Sequence, residues 1–151
     1  MVDFSSSHAL QWAALKVTLD TNILLSSLKR TSSNRPIFDA IRYGKVSLAV
    51  SSEILLEYLE IISQRTTPEI GHNVVQLILS LPRTERIEVK FRFNLIKADA
   101  DDNKFVDCAI AANSELIVTN DKHFNELSKI DFPKVGVASA EEFLILLKEN
   151  P

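Results

Sequence analysis

Four carboxylates in this chain occupy positions from which they could act together. Asp20 ends the apolar run "LKVTLD" (15–20), and Asp121 ends "LIVTND" (116–121). Asp107 interrupts the apolar stretch "FVDCAIAA", and Glu57 lies one and a half turns into the amphipathic segment "SSEILLEYLEIIS" (51–63). Asp107 is the only acidic residue between Phe105 and Ser114. At helical spacing it shares a narrow stripe with Asn103 and Ser114, with apolar side chains around most of the rest. An unpaired buried carboxylate is costly, so Asp107 needs a partner. A salt bridge or a cap to a neighbouring loop is one answer, and a metal ion is the other. Asp20 and Asp121 have a plain alternative as well, because a strand-end Asp often caps the following helix. Glu53, Glu57, Glu60 and Gln64 recur on one helix face, the usual pattern of a solvated stripe. Taken together, three or four carboxylates at one edge repel and raise each other's pKa. A divalent cation relieves that repulsion. Oxygen ligands without a matching Cys/His cluster select Mg²⁺ or Mn²⁺ over zinc. Such ions hold phosphates and activate water.

The elements that must position these acids alternate along the chain. Strands are expected at 15–20, 46–50, 86–91 ("RIEVKF"), 116–119 and 135–139. Helices are expected after "LD", with Thr21 or Asn22 as cap, over "IFDAIRYG" with Gly44 as its stop, and over 51–63. Further helices are expected at 68–80 before Pro82, at 103–113, in "DKHFNEL", and in "SAEEFLILLKEN" with Ser139 and Glu142 in capping-box spacing. This alternation implies an α/β sandwich with a mostly parallel sheet, in which functional groups gather at the carboxyl ends of the strands. Residues 1–14 read as an extension and 15–151 as one domain.

Composition narrows the functional classes. Hydrophobic residues make up 46% and charged residues 25% of 151, an ordinary globular mixture with room for a full core. No apolar run is long enough to span a bilayer, and the N-terminus lacks the basic and apolar regions of a signal peptide. The single cysteine, Cys108, sits in an apolar helix and reads as a small core residue. A cytoplasmic protein is expected. The net charge of −3 argues against non-specific nucleic-acid binding through a basic surface, unless bound cations reverse the field around the acids. Lys29, Arg30, Arg35, Lys45 and Lys122 are placed near the expected mouth of the site, and His123 follows Asp121, reading first as a surface residue. No interleaved aromatic–basic platform for a single strand is expected.

The segments "VTLDTNILLSSL" (17–28), "AVSSEILLEYLEII" (49–62), "DADDNKFVDCAIAANSELIVTNDKHF" (99–124) and, weakly, "VGVASAEEFL" (135–144) resemble the PIN-domain family of metal-dependent ribonucleases, above all the toxins of the VapC type. The resemblance implies a three-layer α/β/α fold and an acidic site of Asp20, Glu57, Asp107 and Asp121. Asp102 is an additional or competing third acid, and Glu53 is a competitor to Glu57. Asn22, Asn103 and Thr119 match the polar positions beside them. It implies one or two Mg²⁺ or Mn²⁺ ions, hydrolysis of RNA phosphodiester bonds, an antitoxin partner and a homodimer. The alternatives are a catalytically inactive PIN-like RNA-binding or protein-interaction module, and an RNA-processing nuclease without an antitoxin. An aspartyl phosphotransferase fits poorly, because Asn22 stands where a second Asp is needed. A receiver domain fits poorly too, because Leu19 precedes Asp20 and "VGVAS" carries no Lys.

Overall fold

The computed structural model describes residues 15–150, so the expected extension 1–14 lies outside the described residues. Five short strands form one all-parallel sheet in the order β3-β2-β1-β4-β5. They are β1 (Lys16–Leu19), β2 (Ser47–Val50), β3 (Thr84–Arg86), β4 (Leu116–Val118) and β5 (Val137–Ala138). The helices are α1 (Thr21–Ser27), α2 (Arg35–Arg42), α3 (Ser52–Arg65), α4 (Pro68–Ser80), α5 (Asn103–Ala112) and α6 (Ala140–Glu149). Two 3-10 turns, Ala100–Asp102 and Lys122–Lys129, complete the elements of the described residues. The result is the α/β sandwich with a parallel sheet expected from the alternation, in the three-layer α/β/α form that the resemblance implies. Among the described residues no helix is long and apolar enough to cross a membrane.

The central strands explain their own composition. Val17, Thr18 and Leu19 of β1, and all of β4, are buried. A parallel strand covered by helices on both faces must be apolar at consecutive positions. Cys108 is fully buried in α5 and burial pushes its thiol up to about 12, which fits a core residue. The capping box at α6 is present in full, with Ser139 and Glu142 each satisfying the other's backbone N–H.

Topology creates the edge at which the candidate acids gather. From β1 the chain winds outward to β2 and β3, then returns across β1 to β4 and β5. The winding reverses between β1 and β4, and a crevice opens at the carboxyl ends of strands at such a switch point. The Asp20 N–H bonds to the Val118 carbonyl at 3.1 Å, which ties the two strand ends together there. Tyr58, fully buried in α3, donates its hydroxyl to the Leu19 carbonyl at 2.7 Å. That bond pins α3 to the end of β1 and brings Glu57 beside it.

Two expectations change. The helix after β1 is preceded by Asp20 at its N-cap position, not by Thr21 or Asn22, and Asp20 makes no side-chain capping bond. The strand expected at 86–91 is only Thr84–Arg86. Ile87 still bonds to the Val50 carbonyl at 2.7 Å, but β2 ends at Val50 and α3 begins two residues later. Past that point no strand is left to pair with, so residues 87–97 continue without regular structure.

Candidate active site

Asp20 and Asp121 face each other across the switch point through one residue, Thr119. The buried Thr119 hydroxyl donates to Asp20 Oδ2 at 2.7 Å and accepts the Asp121 N–H at 3.0 Å. Burial raises the Asp20 pKa, the Thr119 bond lowers it, and the charges of Asp121 and Glu57 raise it again, for a net rise. Asp121 caps the following 3-10 turn, accepting the His123 N–H at 2.9 Å. Its capping role and its place at the acidic edge are therefore compatible.

Asp102 comes to the same edge from the turn ahead of α5. Burial first, then the charges of Asp121, Asp99 and Asp20, raise its pKa to about 6, against a lowering by His123. His123 Nδ1 lies 3.3 Å from Asp102 Oδ2 and 3.4 Å from Asp121 Oδ1. Ligand atoms of Asp99, Asp102 and His123 lie within 4.8 Å of one another. His123, which reads as a surface residue from its sequence context, is thus half-exposed but in contact with two of the acids.

Glu57 is held rather than free. The Thr21 hydroxyl donates to its Oε2. Lys104 Nζ donates to its Oε1 and, at 2.9 Å, to Asp101 Oδ1. Burial alone would lower the Lys104 pKa, but Glu57 and Asp101 overcome this and hold it above its usual value. Sequence reasoning missed Lys104 and Thr21. The available signal was that Lys104 is the lone basic residue of the stretch 99–121.

Asp107 stands apart. Its carboxylate accepts the Phe93 N–H at 3.0 Å, and the charges it feels are Arg92 and Glu53. Its neighbour on the stripe, Asn103, is buried and clamps the backbone of Ile96: Oδ1 accepts the Ile96 N–H at 2.8 Å, and Nδ2 donates to the Ile96 carbonyl at 2.9 Å. Both residues hold the segment 87–97 against α5, which is the loop-cap answer to why an apolar helix contains a carboxylate. Glu53, exposed on α3, pairs with Arg92 at 2.9 Å rather than with the acids. Asn22 is exposed, and Thr21 makes the contact with Glu57. Of the basic residues, Lys45 bonds to the Leu147 carbonyl ahead of β2 and Arg35 pairs with Asp39 on α2. Lys29 and Arg30 lie beyond the far end of α1, whereas Lys122 adjoins Asp121.

The donor set at the edge is oxygen-rich, negatively charged and partly desolvated. This suits a hard divalent cation. Asp102 also makes a pH prediction. Its folded pKa of about 6 lies above the ordinary 3.8, so between these values the metal-free native state holds a proton that the unfolded chain has released. Stability should therefore fall as pH rises through that window. In urea melts at about pH 4 and about pH 7, wild type should lose on the order of 1–2 kcal/mol relative to Asp102→Asn, after solvent screening. An unchanged difference would count against the carboxylate crowding.

Comparison with known proteins agrees with this architecture. A family model described as "PIN domain" matches residues 16–123. Among solved structures, VapBC2 from Rickettsia felis, bound to a DNA fragment from its promoter, aligns with TM-score 0.57 at 19% identity, covering 83% of this chain and 98% of that one. VapBC-1 from nontypeable Haemophilus influenzae aligns with TM-score 0.58 at 13% identity over 84% and 99% of the two chains. The PIN domain endonuclease Utp24 aligns with TM-score 0.52 at 20% identity over 84% and 86%. These likenesses concern the fold. No sequence among the curated proteins matches the chain. The family match over most of the chain, the all-parallel sheet and the acids at its switch point lead to one statement: this chain belongs to the PIN-domain family.

Proposed function

We propose that the chain is a metal-dependent endoribonuclease and the toxin member of a toxin–antitoxin pair. The observation that carries the catalytic part is the convergence of Asp20, Asp121 and Asp102 at one edge, where burial first and then the neighbouring carboxylates hold Asp102 at about 6. In this reading Asp20, Asp102 and Asp121 hold one or two Mg²⁺ or Mn²⁺ ions, and Glu57 completes the set. Asp102 takes the place given to Asp107 on the resemblance, because Asp107 is engaged by Phe93. Such an ion, when bound, supplies Lewis acidity toward a phosphodiester and lowers the pKa of water. Thr119 orients the Asp20 carboxylate, and Lys104 and Thr21 fix Glu57. Outer contacts of this kind set ligand direction and basicity.

The toxin assignment is supported by the fold likeness to VapBC proteins. The reading carries with it an antitoxin that covers the acidic edge, pairing of two copies, and a cytoplasmic setting. Cleavage of labelled single-stranded RNA tests it, with Mn²⁺, with Mg²⁺, with EDTA, and with Asp20→Asn. Cutting is expected only with metal and only with Asp20 intact. A folded protein that neither cuts nor binds Mn²⁺ would instead be an interaction module.

A further inference from the structure

The segment 87–97 that α5 holds in place has an unusual composition for this acidic chain. Residues 86–97, "RIEVKFRFNLIK", contain four cationic residues and one acid, against −3 overall. Lys90, Phe91, Arg92, Phe93 and Asn94 are all exposed in succession. Phe91 is 74% exposed and Phe93 39%. Two aromatic rings left in water and alternating with two cations need an explanation, since neither ring is part of the core.

The strap is anchored along its length. Ile87 bonds to Val50, Phe93 to Asp107, Ile96 to both ends of the Asn103 amide, and the Lys97 N–H to Glu126 at 3.0 Å. Asn94 turns the chain just after Phe93 with φ 52, a conformation Asn tolerates better than most residues. The rings are therefore presented on a fixed backbone. The strap also adjoins the acidic edge. Arg92 reaches Glu53, and Glu57 follows one helical turn later, about 6 Å along α3. Asn103, which grips the strap, directly follows Asp102.

We propose that this strap, through Phe91, Phe93, Lys90 and Arg92, is a stacking platform for a single-stranded nucleic acid that delivers the strand to the acidic edge. The inference deepens the ribonuclease reading and rests on it for the identity of the strand. Unpaired bases stack on exposed aromatic rings regardless of sequence, while interleaved cations take the phosphates. The Arg92–Glu53 pair is exposed on both sides, so a phosphate can compete for Arg92 at little loss. Duplexes keep their bases stacked inside and gain nothing from the rings. No such platform is expected from the sequence, where the strand expected at 86–91 takes in Phe91; with residues 87–97 outside regular structure, both rings are exposed and the proposal stands against that expectation.

The test is fluorescence anisotropy with a short labelled oligouridylate and the full chain in EDTA, so that binding is read apart from cleavage. Wild type is expected to bind the single strand and to bind an RNA duplex of equal length more weakly. Phe91→Ala should weaken single-strand binding about 5- to 100-fold with the salt slope unchanged, and Phe91→Tyr should restore it. Lys90→Gln should reduce the slope of log K against log salt by about 0.7. Phe132→Ala, another exposed ring, serves as control and should bind as wild type does. Wild-type affinity in Phe91→Ala overturns the platform. So does a duplex preference, or a change in self-association on Phe91→Ala, which would make the strap a protein interface. A protein that binds through Phe91 but never cuts with Mn²⁺ leaves the platform standing and sinks the nuclease. A protein that cuts while Phe91→Ala binds normally does the reverse.

Discussion

Asp102→Asn is expected to reduce metal-dependent RNA cleavage roughly 1000-fold, whereas Asp107→Asn should stay within about tenfold of wild type. The two acids are five residues apart on one helix and its leading turn, yet they face different surroundings. Asp102 lies among Asp121, Asp99, Asp20 and His123, and it carries the charge repulsion that a cation would relieve. On the proposed reading, losing one carboxylate there removes a metal ligand and several kcal/mol of charge stabilisation, which the exponential relation converts to about three decades. Asp107 instead accepts a backbone N–H, and the amide oxygen of Asn preserves that acceptor. Parallel titrations with Mn²⁺ check the same distinction without activity. Asp102→Asn should weaken binding, and Asp107→Asn should not. The opposite pattern would restore Asp107 as the third acid and unseat this account of the edge.

Asn103→Ala is expected to destabilise the fold by about 2–4 kcal/mol. One side chain satisfies both the N–H and the carbonyl of Ile96, and both Asn103 and Ile96 are buried. Truncation leaves the N–H and the carbonyl of buried Ile96 without their side-chain partner. For a chain of this size the melting temperature should drop by roughly 4–12 °C. Asn103→Asp separates the terms, because it keeps the acceptor for the Ile96 N–H but loses the donor to the carbonyl. Its loss should be intermediate or, if burial of a second charge dominates, larger. Chemical denaturation of the three proteins reads the outcome. A shift below 1 kcal/mol for Asn103→Ala would mean that the strap is held by its other anchors.

The alternation of short apolar runs with helical periods was sufficient for the α/β class, because strand and helix periods differ and each leaves its mark locally. The positions of Asp20 and Asp121 were legible for the same reason: each is the first carboxylate after a run of buried strand residues. The capping box at Ser139 and the buried character of Cys108 were equally local. The strand expected at 86–91 is displaced to Thr84–Arg86 because alternation alone does not say whether a pairing strand is present. Only the end of β2 at Val50 decides that.

What lay beyond the sequence was which polar groups meet across long separations. Asp107 and Asp102 have the same chemistry and similar flanks, and helical spacing cannot say what lies opposite. The fold places the strap against Asp107 and the strand ends against Asp102. Glu57 was readable as a helix-face acid, but its engagement by Lys104 and Thr21 depends on α3 being pinned to β1 by Tyr58. By itself the sequence determined most of the elements and the kinds of candidate side chain, because burial and hydrogen-bond period act over a few residues. The tertiary structure alone decided which of the candidate acids share one edge, because carboxylate repulsion and backbone capping act through space, between groups whose neighbours are set only by the winding of the sheet.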